Sequence, residues 1–143
     1  MEQRFIEPVR NVLAERYEVD AQESLEDCLL NVAVTFVNDN YQDYLAELME
    51  AKAGSLLEKL DEDNTRLQML TALSYSVGYM LHIRCGLPGR AYFGNSLDKV
   101  CNFNTPEVIS ILGAAVSDMS EVLLREIAVL VQDLQREERN QNR

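Results

Sequence analysis

Apolar residues recur along this chain at intervals of three and four, the spacing of helices that bury one stripe. Phe5, Val9, Val12 and Leu13 form the first stripe and predict a helix over about residues 3–18, with Pro8 implying an extended start and a helix proper from residue 8. A second helix is expected after Ser24, where Asp27 stands at capping-box spacing and Leu25, Cys28, Leu29, Val32, Phe36 and Val37 keep the period. Asn38, Asp39 and Asn40 offer a break or a kink, beyond which Tyr41, Leu45, Leu48, Met49, Leu56 and Leu60 continue an apolar face. Residues 24–60 are therefore one helix or two. The only β-branched run, residues 32–37, lies inside this helical pattern, so no strand is predicted.

A polar turn at residues 61–65 precedes a helix over about residues 66–85 that is apolar on nearly every side. Thr71, Ser74, Gly78 and His82 form a narrow polar seam on it, which predicts a helix central to the fold and a close neighbour along the Ser74 and Gly78 seam. Gly86 closes this helix, His82 and Arg84 match its dipole, and Pro88 prevents continuation. Pro88 and Gly89 predict a type II turn, and a short helix is expected over residues 96–102. Thr105 as N-cap and Pro106 at the first helical position begin a last helix reaching about residue 138, near 50 Å long at about 1.5 Å per residue. Leu112, Val116, Met119, Leu123, Ile127, Leu130 and Leu134 are its stripe, widened by Val108, Ile111, Ala115, Val122 and Val129. The reading is an all-α bundle of about five helices with a long C-terminal helix, one domain over residues 1–138, and a fraying polar tail at 139–143.

Charge sharpens that picture. The 143 residues hold 24 acids and 13 bases, a formal charge of −11. Residues 1–63 hold 16 acids and 5 bases, residues 64–120 hold 3 and 4, and residues 121–143 hold 5 and 4, giving −11, +1 and −1. The acidic half faces water and disfavours phosphate backbones and anionic membrane surfaces, which need Lys and Arg to replace counterions. A charged partner is then expected to be basic, such as a protein that itself binds nucleic acid. No apolar run approaches the ~18 residues of a membrane span and no signal peptide is legible, so a cytoplasmic location is expected.

Candidate chemistry is sparse. His82, Cys85, Cys101 and Cys28 contain the donor types of a zinc site, and His82 and Cys85 share a helix face, but the paired ligand spacing is absent and buried thiols in a core are the simpler reading. The same groups could form a thiol nucleophile with a histidine base. No phosphate-binding loop, nucleophile elbow or zinc-protease motif occurs, so no catalytic residue and no cofactor is assigned. Asp39, Asp43, Glu47, Glu50, Glu58 and Asp61 would fall within about a third of the circumference of one helix, forming an acidic ridge that either solvates the surface or imitates nucleic acid. Arg90, Tyr92 and Phe93 form a loop suited to partner contact, unless the rings fold back on the core.

Residues 103–127 (FNTPEVISILGAAVSDMSEVLLREI) resemble a segment of uncharacterised proteins from bacterial mobile elements and phages, through Phe103-Asn104-Thr105, Leu112-Gly113 and Val116-Ser117-Asp118. The resemblance implies a context in which small acidic proteins bind host machinery, and it carries no site residue. The expected function is non-enzymatic protein binding, with a homodimer through part of the last helix. An acidic inhibitor of a nucleic-acid enzyme is the second reading, and a thiol or zinc-dependent protein the third.

Overall fold

The central helix is α4, Glu62–Arg84, whose apolar residues on most sides require cover from several directions. The computed structural model describes residues 1–20 and 24–142, and among them α1 (Gln3–Tyr17), α2 (Leu25–Asn40), α3 (Gln42–Ala51), α5 (Gly89–Phe93) and α6 (Pro106–Gln141) surround it, with a 3-10 turn at Asp98–Asn102 and no strand. The all-α bundle with a long C-terminal helix is therefore the observed fold. Leu29, Leu48, Leu57, Met69, Leu73, Leu81 and Leu123 are fully enclosed at its centre.

Side-chain pairs give the directions. His82 meets the Glu26 carbonyl and Gly78 faces Leu30, so α2 runs antiparallel to α4. Arg4 pairs with Glu138 at 2.7 Å and Arg16 with Glu126 at 2.8 Å, laying α1 antiparallel along the distal half of α6. Met80 lies beside Ser117 and Ser120 while Cys85 lies beside Ile127 and Val131, so α4 and α6 run the same way. Parallel neighbours need a long return, supplied by residues 85–105, whose α5 and 3-10 turn travel back along α4, with Asn102 Nδ2 donating to Gln68 Oε1 at 2.9 Å.

Several boundaries follow the sequence directly. Ser24 Oγ accepts from the Asp27 amide at 3.1 Å, Asp61 Oδ1 from Asn64 at 2.8 Å, and Thr105 Oγ1 from Val108 at 3.3 Å, each satisfying an orphan donor of a helix start. Gly86, with φ +78°, closes α4 in a Schellman motif: its amide reaches the Ile83 carbonyl at 3.1 Å and that of Leu87 reaches His82 at 2.9 Å.

Other expectations are corrected. Helix α1 starts at Gln3 with no extended lead before Pro8. The turn preceding Pro8 is held by Phe5 in the core and by Arg4, which lies over the Phe5 ring at 4.5 Å and pairs with Glu138. Residues 24–60 are two helices followed by turns. Asn38 and Asn40 each donate a side-chain amide proton to the carbonyl four residues back, Val34 and Phe36, at 2.8 Å, competing with the backbone ladder where α2 ends. Helix α3 stops at Ala51; Gly54 turns with φ +82°, and Lys52 Nζ caps the carbonyls of Glu58 and Leu60. That turn buries Leu57 and leaves Leu56, expected on the apolar face, 64% exposed. The type II turn is instead an inverse γ-turn at Pro88 (φ −79°, ψ 69°), and Gly89 opens α5. The short helix of residues 96–102 narrows to the 3-10 turn, and α6 extends through the expected tail to Gln141, Arg143 lying outside the described residues.

The seam on α4 is filled, not empty. A Cβ on Gly78 would stand 3.1 Å from Leu30 Cδ1 and 3.2 Å from Phe93 Cζ, whereas one on Gly113 meets nothing within 4 Å. Gly78→Val should therefore lose about 1–3 kcal/mol through overpacking. Gly113→Ala should gain roughly 0.5–1 kcal/mol by helix propensity alone. Urea denaturation of the two variants checks both signs.

Candidate functional site

The aromatic loop expected to meet a partner has largely turned inward. Phe93 is buried against Tyr75, Tyr79, His82 and Tyr92, with ring centroids 6.1, 5.9, 4.8 and 4.9 Å away. Tyr92 is half-buried on the His82 ring at 4.6 Å and donates its hydroxyl proton to Asp27. Only Arg90 of the three projects as an exposed side chain. Phe93 is thus a plug for the Gly78 seam and is withdrawn as a contact residue.

The acidic ridge does not form on one helix. Asp39 belongs to α2, Asp43, Glu47 and Glu50 to α3, Glu58 to the following turn, and Asp61 caps α4. The Gly54 turn breaks the register that would have aligned the last two. All six side chains are exposed, and Asp39, Asp43, Glu47 and Glu50 have no ion pair among the described residues.

The thiols and the imidazole are likewise separated. Cys28 is buried in α2, Cys85 is buried at the end of α4, and Cys101 is exposed in the 3-10 turn. No group of three or more His, Cys, Asp or Glu among the described residues is placed to hold a metal ion. His82 is fully enclosed, its Nε2 lying 2.8 Å from the Glu26 carbonyl, and its Nδ1 has no hydrogen-bond partner, so no thiol is paired with it as a nucleophile would be. Burial pushes the Cys85 thiol up, away from the reactive thiolate.

A surface that the sequence reading passed over lies between α4 and α6. A cleft of about 460 Å³ is lined by Met80 and Arg84 from α4 and by Ser117, Ser120, Glu121, Leu124, Arg125 and Ala128 from α6. It runs on into a second hollow of about 400 Å³ beside Met1, Cys85 and Val131, sharing Arg84, Leu124 and Ala128. The walls are mostly apolar, and Arg84 and Arg125 are exposed at the rim. Ser120 is 2% exposed, and its buried Oγ has no hydrogen-bond partner among the described residues. On the other flank of α6, Val122 and Val129 are 51% and 53% exposed. A signal for this face existed: Ser117, Glu121, Leu124, Ala128 and Val131 recur at four, three, four, three beside the core stripe. Weak polar members hid it. No helix among the described residues is long and apolar enough to cross a membrane.

No protein-family model, curated protein or solved structure matches the chain.

The His82 environment has a consequence for stability. Burial pushes its imidazole below the ordinary 6.5, outweighing the Glu26 carbonyl and the charges of Glu26 and Asp27, which pull the other way. The unfolded chain then binds more protons than the folded one as pH falls below about 6.5, so folding stability should be complete above that pH and decline below it. Urea midpoints between pH 7.5 and 5.5 should fall in the native protein and stay flatter in His82→Leu.

Proposed function

We propose that this chain is a non-catalytic protein-binding bundle whose recognition surface is the cleft between α4 and α6. The observation that carries the reading is the continuity of that cleft: an open, mostly apolar channel along fifteen residues of one helix, residues 117–131, rimmed by Arg84, Arg125 and Glu121. An open channel of this form suits an incoming helix, whose apolar side chains reach the floor while its flanks stay wet. Small ligands are held in more enclosing cavities. The third reading, a thiol or zinc-dependent protein, has no such support, because His82 meets the Glu26 carbonyl rather than a thiol.

The acidic inhibitor remains a second reading, favoured by one observation: Asp39, Asp43, Glu47 and Glu50 are exposed with no ion pair among the described residues. Such a surface would hold a basic protein through charge, and its grip would fail in salt.

The two readings part in one experiment. The immobilised full chain is exposed to a bacterial lysate supplemented with the free chain, at low and high salt, beside an Ala128→Arg variant that fills the cleft and an Asp43→Asn, Glu47→Gln, Glu50→Gln variant that neutralises α3. The cleft reading expects capture that survives salt, is lost in Ala128→Arg by at least about tenfold, and persists in the neutralised variant. Capture that appears only at low salt and disappears on neutralisation would establish the acidic reading instead.

A further inference from the structure

The face of α6 that borders the cleft is self-complementary in charge. Ser117, Glu121, Leu124, Ala128 and Val131 follow the 3.5-residue repeat by which one helix packs on another. Arg125 stands beside this seam, and the exposed Val122 and Val129 lie on the far flank. The face therefore carries apolar side chains on both margins and one acid and one base between them.

Glu121 and Arg125 are four residues apart, so they are related about the level of residue 123. If a second α6 lies antiparallel with a twofold axis at that level, Glu121 of each copy faces Arg125 of the partner subunit, and the two Leu124 side chains lie only about 3 Å apart along the axis. We propose that the occupant of this face is a second copy of the chain, packed α6 on α6 in that antiparallel arrangement, with two interchain Glu121–Arg125 pairs. The proposal rests on the protein-binding reading of the cleft and names its partner.

Two observations favour a second copy. Within one chain Glu121 and Arg125 already pair as neighbours on a helix surface, with side chains 56% and 77% exposed, and an exposed pair of this kind contributes little, so exchanging it for an interchain pair gives up little. Residues 64–143, which include all of α6, sum to zero, from +1 and −1, so this segment brings no net charge to a contact with its own copy. A twofold contact uses the same patch on both subunits and closes on itself, so it yields a dimer and no larger assembly.

The test is a charge exchange followed by sedimentation of the purified full chain across a concentration series. The native protein is expected at twice the monomer mass. Glu121→Arg alone and Arg125→Glu alone place like charges opposite each other and should weaken dimerisation by about tenfold or more. Mixing these two variants restores both pairs and should restore the dimer, as should the doubly exchanged chain. Both side chains are exposed, and far-ultraviolet circular dichroism checks that each variant keeps its helices. A monomeric native protein, an assembly larger than two, single variants that dimerise like the native chain, or a mixture that fails to re-form the dimer would each overturn the proposal. A monomeric native protein whose cleft still captures a salt-stable partner would leave the protein-binding reading intact, whereas a dimer unaffected by charge exchange and a cleft that captures nothing would remove both.

Discussion

The need to cover α4 on several sides governs the arrangement. A helix with apolar residues around most of its circumference cannot be satisfied by one neighbour. Helix α2 takes one side, α6 another, and the returning segment with α5 takes the seam at Ser74, Gly78 and His82. The seam admits this cover because Gly78 has no side chain, so Leu30 and Phe93 both close on its backbone. Placing α6 parallel to α4 then follows from the long return between them, and the parallel pair leaves the cleft along their outer side. The candidate site is thus a by-product of how the centre of the protein is sealed.

The same requirement explains what could be read in the chain and what could not. Helix periods, the Ser24, Asp61 and Thr105 caps and the Gly86 ending are local properties, settled by residues within one or two turns, and they appear at the expected places. The start of α1 was misplaced because Pro8 is tolerated once Arg4 and Phe5 are tied to distant partners, which local reasoning does not contain. Whether Phe93 meets a partner or folds back on the core stayed open for a similar reason: its burial depends on Gly78, fifteen residues away, and on Leu30 of another helix. The acidic ridge failed at Gly54, a single left-handed residue that ends the register.

The cleft was illegible for a further reason. A stripe of Ser, Glu, Leu, Ala and Val reads as an ordinary solvated flank when viewed along one helix, and it acquires meaning only once α4 supplies Met80 and Arg84 as the opposite wall. The uneven charge, by contrast, was visible from the first. In the structure its exposed acids include Asp43, Glu47 and Glu50 of α3, while Leu45 and Leu48 of the same helix are buried in the core.

The central claim, an antiparallel twofold contact through α6, is tested most directly by distances between identical spin labels in the full chain. With Cys101→Ser removing the exposed thiol, labels are attached at Ser110→Cys and, in a separate protein, at Gln132→Cys, both exposed positions on α6. Antiparallel packing about residue 123 separates identical positions by about 3 Å along the axis for every residue of offset, so the account predicts about 39 Å for residue 110 and about 27 Å for residue 132. Equal distances at the two positions, or no interchain distance at either, would contradict it.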